Sequence, residues 1–387
     1  MQLSVIILNY NVRYFLEQCV LSVQEALSVI DGEIIVVDNN SDDDSCQMMK
    51  NRFPEVKLIQ NKENYGFPKG NNIGVQQAKG KYICILNPDT VVAEDTFSKI
   101  LVFAEKQTNL GIIGCKLIDG TGNFLPESKR GVPTPWVAFT KIFGLYKIFP
   151  NLKLFNQYYA QHLRDNQTGK VDILVGAFMV MQRQLYLETG GFDEDCFMYA
   201  DDIDLSYSVL QKQKSNYYFH ETSVIHYKGE STIKDEKYMK RFQEAMEFFY
   251  QKHFRKSIFF SIFIKIGILF FSFIKMFQGK QKANLLPESY IFLSSNKILS
   301  EKLSLCLKNK VSFLDFKKEK MVNSCLVSKG KRVEIILDNH YVSFKKCIEI
   351  LETLRDKRIT FKILPKNANF IIGSDSKNER GKVVKID

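Results

Sequence analysis

Acidic side chains concentrate in one short run near the middle of the chain. Asp201, Asp202 and Asp204 come shortly after the apolar Phe197-Met198-Tyr199, where a helix is predicted to begin near Ala200. The macrodipole stabilises negative charge at a helix N-terminus, so some of these carboxylates are candidates for helix caps. Carboxylates beside an apolar wall also offer a base that takes a proton from a hydroxyl group. The residues alone leave both interpretations open.

A further acid and an imidazole are candidates for a metal site. The predicted strand Tyr82–Leu86 runs into Asn87-Pro88-Asp89-Thr90, which places a carboxylate at the edge of a sheet. Proteins commonly hold a hard divalent cation with one carboxylate and the oxygens of a diphosphate. His226 offers an imidazole ligand, although a lone histidine is more often structural and an Asp is common in turns after strands. The prediction of a metal site therefore depends on Asp89 and His226 occurring together.

Two clusters of polar residues follow the first two predicted strands. Leu3–Leu8 runs into Asn9-Tyr10-Asn11, and Ile34–Val37 runs into Asp38-Asn39-Asn40-Ser41. Open α/β sheets bind ligands at the carboxyl ends of neighbouring strands, so both clusters predict a binding edge. In the alternative interpretation the second cluster merely caps the next helix.

The segment Asn64–Gly74 joins a loop to a helix, with Pro68 near the first turn. Gly66 and Gly70 would let the backbone approach a ligand closely, and the helix N-terminus favours an anion. A plain turn and cap would look similar. No GxGxxG follows the first strands, and Lys69 precedes a glycine rather than following it, which argues against a dinucleotide-binding fold and a P-loop.

A regular alternation of strands and helices positions these residues. Between residue 3 and about residue 115, short β-branched runs alternate with segments of helical period, which is typical of βαβ sheets. The predicted strands are Leu3–Leu8, Ile34–Val37, Val56–Ile59, Tyr82–Leu86 and Gly111–Cys115. The predicted helices are Arg13–Ile30, Asp42–Arg52, Pro68–Ala78 and Asp95–Lys106. This half of the chain is predicted to be doubly wound.

The composition is that of an ordinary globular protein. Of 387 residues, 45% are hydrophobic and 25% are charged, which excludes wholesale disorder, collagen and a multi-span transporter. The net charge of +11 favours polyanions or an anionic membrane surface without choosing between them. The eight cysteines form no CxxC pair, so neither a zinc knuckle nor a disulfide scaffold is predicted. The first apolar run is too short for a signal peptide, and we expect a cytosolic domain with reduced thiols.

One apolar segment has the length of a membrane span. Ser257–Phe277 is rich in aromatic and aliphatic residues but contains Lys265 and Lys275. About 20 apolar residues span a bilayer, whereas a central lysine costs about 2.5–3.5 kcal/mol on insertion scales. A tilted single span and a helix in the interface both remain open. The basic and aromatic stretch Trp136–Phe155 is a second candidate for membrane contact.

The sequence predicts four consecutive parts. These are an α/β domain over residues 1–255, a membrane-associated hydrophobic helix over 257–277, a linker over 278–309 and a small α/β unit over 310–387. The last unit reads as a β-α-β-β pattern without a catalytic constellation. It faintly resembles a fragment of a nucleotide-binding fold, and no activity is assigned to it.

Taken in order, the motifs between Gln2 and Thr232 resemble the family 2 glycosyltransferases, especially their rhamnosyltransferase-like branch. The resemblance implies a GT-A fold, a Rossmann-like, mostly parallel sheet with helices on both faces. It also implies that the early motifs hold a uracil or thymine nucleoside and that the loop Asn64–Asn72 lies beside the sugar. The residues implied for the nucleotide sugar are Tyr10, Asn11, Asp38, Asn40, Asn64, Gly66, Gly70, Asn71 and Asn87.

The same resemblance implies a divalent metal. The family's Asp-x-Asp motif falls on Asn87-Pro88-Asp89, where the first acid is missing. Asp89 is therefore the expected carboxylate ligand of Mg²⁺ or Mn²⁺, and His226 matches the late histidine that completes the site. The segment Lys129–Trp136 also resembles a loop of this branch, without an assigned role.

The implied reaction moves a hexose-type sugar, from a donor of the dTDP-rhamnose or UDP-hexose type, to an acceptor hydroxyl with inversion. The family's Glu-Asp-x-Asp motif falls on the acidic run. Asp202 takes the position of the base. Asp201, which replaces the usual Glu, and Asp204 take the acceptor-binding positions.

The apolar segment favours an acceptor saccharide linked to lipid, in cell-surface polysaccharide synthesis at the cytoplasmic face of the inner membrane. No nucleic-acid partner is expected. One alternative is a catalytically inactive GT-A scaffold that binds nucleotide sugar or recruits partners. A processive synthase is disfavoured because the sequence has neither several spans nor a Gln-x-x-Arg-Trp motif.

Overall fold

The computed structural model describes residues 1–228, 236–254, 286–316, 331–376 and 381–386. The apolar segment Ser257–Phe277, predicted to meet a membrane, lies outside these ranges. Within them, no helix combines the length and the hydropathy needed to cross a bilayer. The described residues build two sheets with flanking helices.

The first sheet and its helices occupy the chain from β1 to α9. Its strands are β1 (Leu3–Asn9), β2 (Gly32–Asp38), β3 (Lys57–Gln60), β4 (Tyr82–Leu86), β5 (Thr90–Val91), β6 (Leu110–Ile118), β7 (Gly169–Val171), β8 (Phe178–Gln182) and β9 (Ser215–His226). Its helices are α1 (Arg13–Leu27), α2 (Ser45–Arg52), α3 (Gly66–Gln76), α4 (Thr96–Glu105), α5 (Pro135–Ile142), α6 (Leu145–Ile148), α7 (Arg183–Glu188), α8 (Asp201–Gln211) and α9 (Glu236–His253).

The strand order of the first sheet is β3-β2-β1-β4-β8-β6-β9-β5, with β7 paired to β9. β1 runs parallel to both β2 and β4, and β2 runs parallel to β3. β8 runs antiparallel between β4 and β6, and β5 runs antiparallel to β9. The first half is therefore the predicted βαβ sheet, whereas the second half contains antiparallel strands that bring distant residues to the same edge.

The parallel strands are apolar along their length because helices cover both faces of the sheet. Every residue of β1 is buried, as expected of a central strand in a parallel sheet. α1 and α4 pack on one face, and α3 and α8 pack on the other. The predicted Rossmann-like, mostly parallel sheet with helices on both faces is confirmed.

The second sheet is a smaller unit of the same class. Its elements are β10 (Ser289–Ser294), α10 (Lys297–Leu307), β11 (Val311–Asp315), β12 (Val333–Asp338), α11 (Phe344–Leu354), β13 (Ile359–Leu364), β14 (Phe370–Gly373) and β15 (Lys382–Lys385). The strand order is β11-β10-β12-β13-β14-β15, with parallel pairing from β11 to β13 and antiparallel pairing beyond it.

This unit begins earlier than the sequence predicts. β10 and α10 lie within residues 278–309, the predicted linker, and β10 pairs with a strand on each side. The apolar part of β10, Tyr290–Leu293, has four residues between serines and is too short to stand out without its neighbours. The unit therefore starts near residue 289 rather than at residue 310.

One apolar cluster joins the two sheets. Phe15 and Tyr227 of the first domain share it with Phe344 and Phe370 of the second. The Glu94 carboxylate accepts hydrogen bonds, at 2.6 and 2.8 Å, from the first two backbone N–H groups of α11. Because these contacts lie beside β5 and β9, the second unit braces the strands that border the site described next.

Candidate active site

The carboxyl ends of β1 and β2 meet around the buried carboxylate of Asp38. Its Oδ1 accepts hydrogen bonds from Asn9 Nδ2 and from Ser41 Oγ, both at 2.7 Å. Its Oδ2 accepts one from the Ser41 backbone N–H at 2.9 Å. Since the carboxylate is satisfied by these donors, it holds the two loops together. The structure brings the first two motifs to one edge, while contact of Asp38 with a nucleoside stays a prediction.

Three further predicted residues surround this cluster. Asn11 and Asn40 adopt φ angles of 55° and 61°, in the left-handed region that asparagine tolerates better than most residues. Asn11 Oδ1 accepts a hydrogen bond from the Asp42 backbone N–H at 2.7 Å, which fixes the turn. Both asparagines are exposed and Tyr10 is half-buried, so all three are accessible to a ligand at this edge.

Asn39, which is not among the predicted binding residues, connects the third motif to the same edge. Its Nδ2 donates to Gly66 O at 3.0 Å and to Asn64 Oδ1 at 3.3 Å. Its Oδ1 accepts from Asn61 Nδ2 at 2.8 Å. The loops after β1, β2 and β3 therefore form one hydrogen-bonded rim.

Two glycines of this rim are required by packing. Gly66 has a φ of 79°, and a Cβ atom on it would lie 2.8 Å from Phe197 O. A Cβ atom on Gly70 would lie 2.4 Å from Leu8 Cδ1. The sequence predicts that these glycines let a ligand approach the backbone, whereas in the structure protein atoms fill the space beside them. Asn71 is also buried, and its Nδ2 donates to Phe67 O at 2.9 Å.

Asp89 and His226 come together where β4 and β9 end. Asp89 Oδ1 lies 3.4 Å from His226 Nε2, and both residues are buried. Their approach is fixed by the pairing of Thr90 with His226 in the sheet and by a hydrogen bond of 3.0 Å from the Tyr227 N–H to Asp89 O. Asn87 Nδ2 lies 3.4 Å from the same imidazole nitrogen. The residues that the resemblance assigns to the metal motif thus occupy one place.

This pair fits a divalent ion as two of its ligands. Ligand atoms at about 2.1 Å from one ion are about 3.0–3.4 Å apart for ordinary coordination angles, which agrees with the separation of Asp89 Oδ1 and His226 Nε2. Within the described ranges, no group of three or more His, Cys, Asp or Glu side chains is suited to a metal. Asp89 and His226 are the described residues that would hold the ion.

Asp202 is held by a buried arginine. Its Oδ2 accepts hydrogen bonds from Arg130 Nη2 at 2.5 Å and from the Gly176 N–H at 3.1 Å. Burial opposes the charge of the guanidinium, but Asp202, Tyr158 and Glu127 together outweigh burial and raise the pKa of Arg130. Asp202 Oδ1 accepts no hydrogen bond from the described residues. The arginine therefore orients the carboxylate and leaves one oxygen for a proton.

The turn before β8 connects the base position to the metal pair. The Gly176 N–H donates to Asp202, and the next residue, Ala177, accepts a hydrogen bond of 3.1 Å from the Asn87 backbone N–H. Glu127 lies in the same region, because its carboxylate forms an ion pair with Lys228, two residues after His226. Asp89, His226 and Asp202 are thus gathered at one edge of the sheet.

The surroundings of Asp201 favour its neutral form. Burial, followed by the charge of Asp202, raises the pKa of Asp201 to about 7. Tyr199, two residues earlier, has a φ of 81°, a conformation that is strained for a bulky side chain and that turns the chain into α8. Near neutral pH, Asp201 is partly protonated and can donate or accept a hydrogen bond with a hydroxyl group. Its contact with an acceptor stays a prediction.

Asp204 takes part in a structural contact. Its Oδ2 lies 2.9 Å from Lys252 Nζ and its Oδ1 lies 2.6 Å from His253 Nε2, both on α9. The side chain is buried. The sequence predicts an acceptor ligand here, whereas the structure gives both oxygens to α9, where they fasten that helix to α8.

The structure identifies three residues with no predicted role: Arg130, Gly176 and Glu127. Arg130 lies in the segment that resembles a loop of the family, so its position carried a signal, but its partner is 72 residues away. Gly176 and Glu127 lie in irregular segments without a motif. Their contribution depends on contacts that sequence patterns do not report.

Comparisons with known proteins bear on the family and the fold. The family described as "Glycosyl transferase family 2" matches residues 4–190. The N-acetylglucosaminyl-diphospho-decaprenol L-rhamnosyltransferase of Mycobacterium tuberculosis is 23% identical over 213 residues, 52% of this chain and 68% of that protein. The low-salt glycan biosynthesis hexosyltransferase Agl10 of Haloferax volcanii is 23% identical over 54% of this chain and 62% of its own length. The GalNAc(5)-diNAcBac-PP-undecaprenol beta-1,3-glucosyltransferase of Campylobacter jejuni is 26% identical over 58% and 64%.

Among solved structures, the chain is similar to GalNAc-T7 with UDP, GalNAc and Mn²⁺, at 18% identity. The match covers 65% of this chain and 50% of that chain, with a TM-score of 0.46. The mannosyltransferase PcManGT of Pyrobaculum calidifontis, in complex with GDP-Man and Mn²⁺, is 17% identical with a TM-score of 0.47 over 79% and 80%. The family match and the mixed sheet described above confirm the GT-A fold. The match covers 187 of the 387 residues, and over residues 4–190 the chain is similar to glycosyl transferase family 2.

Proposed function

We propose that this protein transfers a sugar from a nucleoside-diphosphate sugar to a hydroxyl group of a lipid-linked saccharide, with inversion at the anomeric carbon. The supporting observation is the pairing of Asp89 with His226, together with the hydrogen bond from Gly176 to Asp202, since the next residue, Ala177, bonds to Asn87 of the metal motif. The reaction needs a place for the charge of a leaving diphosphate and a base for an acceptor hydroxyl. The three side chains supply both within one edge of the sheet.

The donor would lie along the rim formed by the loops after β1, β2 and β3. Asn11, Asn40 and Tyr10 are accessible there and offer hydrogen bonds and a ring face to the nucleoside. Asp89 and His226 would hold Mg²⁺ or Mn²⁺ near the diphosphate. When bound, the ion stabilises the negative charge of the departing diphosphate.

The acceptor hydroxyl would approach Asp202. As its oxygen forms a bond to the anomeric carbon, the bond from that carbon to the diphosphate breaks, and the hydroxyl proton passes to Asp202 Oδ1. Attack opposite the leaving group inverts the anomeric configuration. Arg130 keeps the carboxylate oriented throughout, because it holds the other oxygen. Asp201, with its raised pKa, would contact a neighbouring hydroxyl of the acceptor.

A lipid-linked acceptor agrees with two observations. The names of two relatives contain a diphospho-decaprenol and a PP-undecaprenol saccharide. The sequence also contains the apolar segment Ser257–Phe277, which would keep the enzyme at the cytoplasmic face of the inner membrane. The donor would be of the dTDP-rhamnose or UDP-hexose type, and the product would enter a cell-surface polysaccharide.

Donor binding is the first step to test. Nucleoside-diphosphate sugars are screened by thermal shift with Mn²⁺ and with EDTA. A donor at 100 times its Kd stabilises the folded state by about 2.7 kcal/mol, and the metal should be required for that gain. Asp89→Asn should lose the metal-dependent shift, whereas Asp338→Asn, a buried carboxylate in the second sheet, should keep it.

Transfer is tested by the release of nucleoside diphosphate when lipid extract from the native membrane is added. Metal-dependent release that requires both donor and extract supports the proposal. Donor binding without release in any extract would instead favour a GT-A scaffold that binds nucleotide sugar without turnover.

A further inference from the structure

One part of the first domain exposes apolar side chains at unusual density. Trp136, Ile148, Phe149, Leu152 and Leu154 are each at least 42% exposed, and together they are termed the apolar platform. They make up five of the thirteen exposed large apolar side chains in the described ranges, yet they fall within 19 consecutive positions. Monomeric soluble proteins rarely expose contiguous apolar patches of this kind without an interaction partner.

The apolar platform is one continuous surface. Trp136 Nε1 donates a hydrogen bond to Leu154 O at 2.9 Å, which ties α5 to the end of the following loop. The Phe155 ring centroid lies 5.9 Å from that of Trp136 and 5.2 Å from that of Phe149. The exposed side chains therefore stand on a shared aromatic base and are not scattered over the surface.

The stretch of sequence that contains the apolar platform carries formal charge of one sign. No Asp or Glu occurs between Glu127 and Asp165, whereas Lys147 and Lys153 lie within the apolar platform and are exposed. Aromatic and aliphatic side chains interleaved with lysines, without acids, are complementary to anionic headgroups over acyl chains.

The end of α9 packs against the residues that lead into α5. Tyr250 Oη donates to Pro133 O at 2.5 Å, and Phe254 packs in one cluster with Val132 just before α5. The sequence then continues with two basic residues and the apolar segment Ser257–Phe277. Because α9 ends beside the start of α5 and the sequence after it is apolar over the length of a membrane span, the occupant that suits the apolar platform is a lipid bilayer.

We infer that the apolar platform docks on an anionic membrane surface and presents the acceptor site to it. The inference rests on the proposed function, since it names the surface through which a lipid-linked acceptor is reached. The link to the site is short: the Gly131 N–H donates to Gln157 O and Tyr158 O, both at 3.2 Å, and the preceding Arg130 holds Asp202. A docked domain therefore keeps the base close to the saccharide that its lipid anchors.

The chain contains a reporter for this contact, because Trp136 is its one tryptophan. The full chain is mixed with vesicles of phosphatidylcholine and phosphatidylglycerol at a ratio of about 7:3. We expect the emission of Trp136 to shift to the blue and to be quenched by brominated acyl chains. Vesicles of phosphatidylcholine alone should give weaker partition, and added salt should weaken binding to the anionic vesicles.

Matched variants test whether vesicle binding depends on the apolar platform or on exposed apolar side chains elsewhere in the protein. Ile148→Asp should weaken partition at least tenfold as measured by quenching, because a side chain buried in lipid becomes charged. Ile298→Asp, on α10 and 73% exposed in the native chain, should leave partition unchanged. Lys147→Gln and Lys153→Gln should each weaken partition about fivefold on anionic vesicles.

Vesicle flotation with an unshifted and unquenched Trp136 would overturn the inference, because attachment would then come from another part of the chain. A blue shift that appears without lipid and follows dimer formation in sedimentation would also overturn it and assign the apolar platform to a second copy. Donor binding is followed separately by thermal shift with Mn²⁺. Quenching by lipid without donor binding would support the docking surface while refuting the proposed function.

Discussion

Each of the two sheets has a buried aspartate at the carboxyl end of a parallel strand. In the first, the buried Asp38 accepts hydrogen bonds from Asn9 and Ser41. In the second, the buried Asp338 accepts hydrogen bonds from Ser294 Oγ at 2.6 Å and from the His340 N–H at 3.0 Å. Each carboxylate follows a parallel strand and holds the neighbouring loops together.

The sheets differ in what their antiparallel strands add. In the first, β5, β8 and β9 gather Asp89, His226 and Asp202, and one oxygen of Asp202 receives no hydrogen bond from described residues. In the second, β14 and β15 complete an ion-paired group in which Asp375 is matched by lysines on both sides. Both sheets therefore have a carboxylate at a strand end, which by itself is a structural feature. A catalytic site also needs side chains from distant parts of the sequence whose polar atoms are not all paired within the protein.

The largest expected effect distinguishes Asp202, the proposed base, from Asp338, the buried carboxylate at the edge of the second sheet. Asp202→Asn should lower turnover about 10²–10⁴-fold, because the variant cannot take the proton of the hydroxyl. Asp338→Asn should alter stability and leave turnover per folded molecule unchanged. Both are measured by release of nucleoside diphosphate, with donor binding checked by thermal shift. Turnover near wild type in Asp202→Asn with intact donor binding would remove Asp202 from this role.

A second comparison concerns the buried cations. Arg130 pairs with Asp202 in the first domain, and Lys362 pairs with Glu334 and Asp375 in the second. Replacing either cation by Met leaves a buried carboxylate unpaired and should cost about 3–5 kcal/mol in the free energy of unfolding, measured in urea. Arg130→Met should in addition change the pH dependence of turnover, whereas Lys362→Met should not. An unchanged pH profile in Arg130→Met would make the first pair purely structural.

The third comparison concerns two aspartates whose pKa values move in opposite directions. Burial and then Asp202 raise the pKa of Asp201 from 3.8 to about 7. Unfolding therefore releases a proton between about pH 4 and pH 7, so this group makes stability fall as the pH rises, by about 1.4 kcal/mol per pH unit at most. Asp201→Asn should flatten that decline in urea titrations at several pH values, and a decline as steep as that of the wild type would contradict the raised pKa.

Asp375 provides the matched control. Burial opposes its charge, but Lys362 and Lys382 outweigh burial and lower the pKa of Asp375. Its contribution is therefore present above the ordinary pKa of 3.8 and is lost as the pH falls below it. Asp375→Asn should lower stability at neutral pH and reduce the loss in acid, which is the opposite pattern to that of Asp201→Asn.

The smallest expected effect lies at the contact between the sheets. Glu94→Ala removes the acceptor of two N–H groups at the start of α11 and should cost about 1 kcal/mol in the free energy of unfolding. Ser343→Ala removes the cap of the same helix from within the second unit, where Ser343 Oγ accepts from the Lys346 N–H at 3.2 Å. If the second unit braces β5, only Glu94→Ala should raise the Mn²⁺ concentration needed for donor binding. Equal metal requirements in both variants would show that the contact is not coupled to the site.

The elements of the parallel half could be predicted because their signal is local. The predicted strand Leu3–Leu8 became β1, Leu3–Asn9, and Ile34–Val37 became the centre of β2, since a strand buried on both faces is a nearly continuous apolar run. β10 was missed because its apolar core is short and its identity as a strand depends on partners on both sides. The antiparallel direction of β8 likewise depends on its neighbours and leaves no mark in its own residues.

The sequence by itself determined which residue types stand at the strand ends and in which order the motifs follow, because apolar period and turn chemistry act over a few residues. Only the tertiary structure decided their partners. It placed Arg130 against Asp202, gave Asp204 to α9, and filled the space beside Gly66 with Phe197. These contacts join positions far apart along the chain, and whether a buried polar group is paired or left available depends on what surrounds it in space.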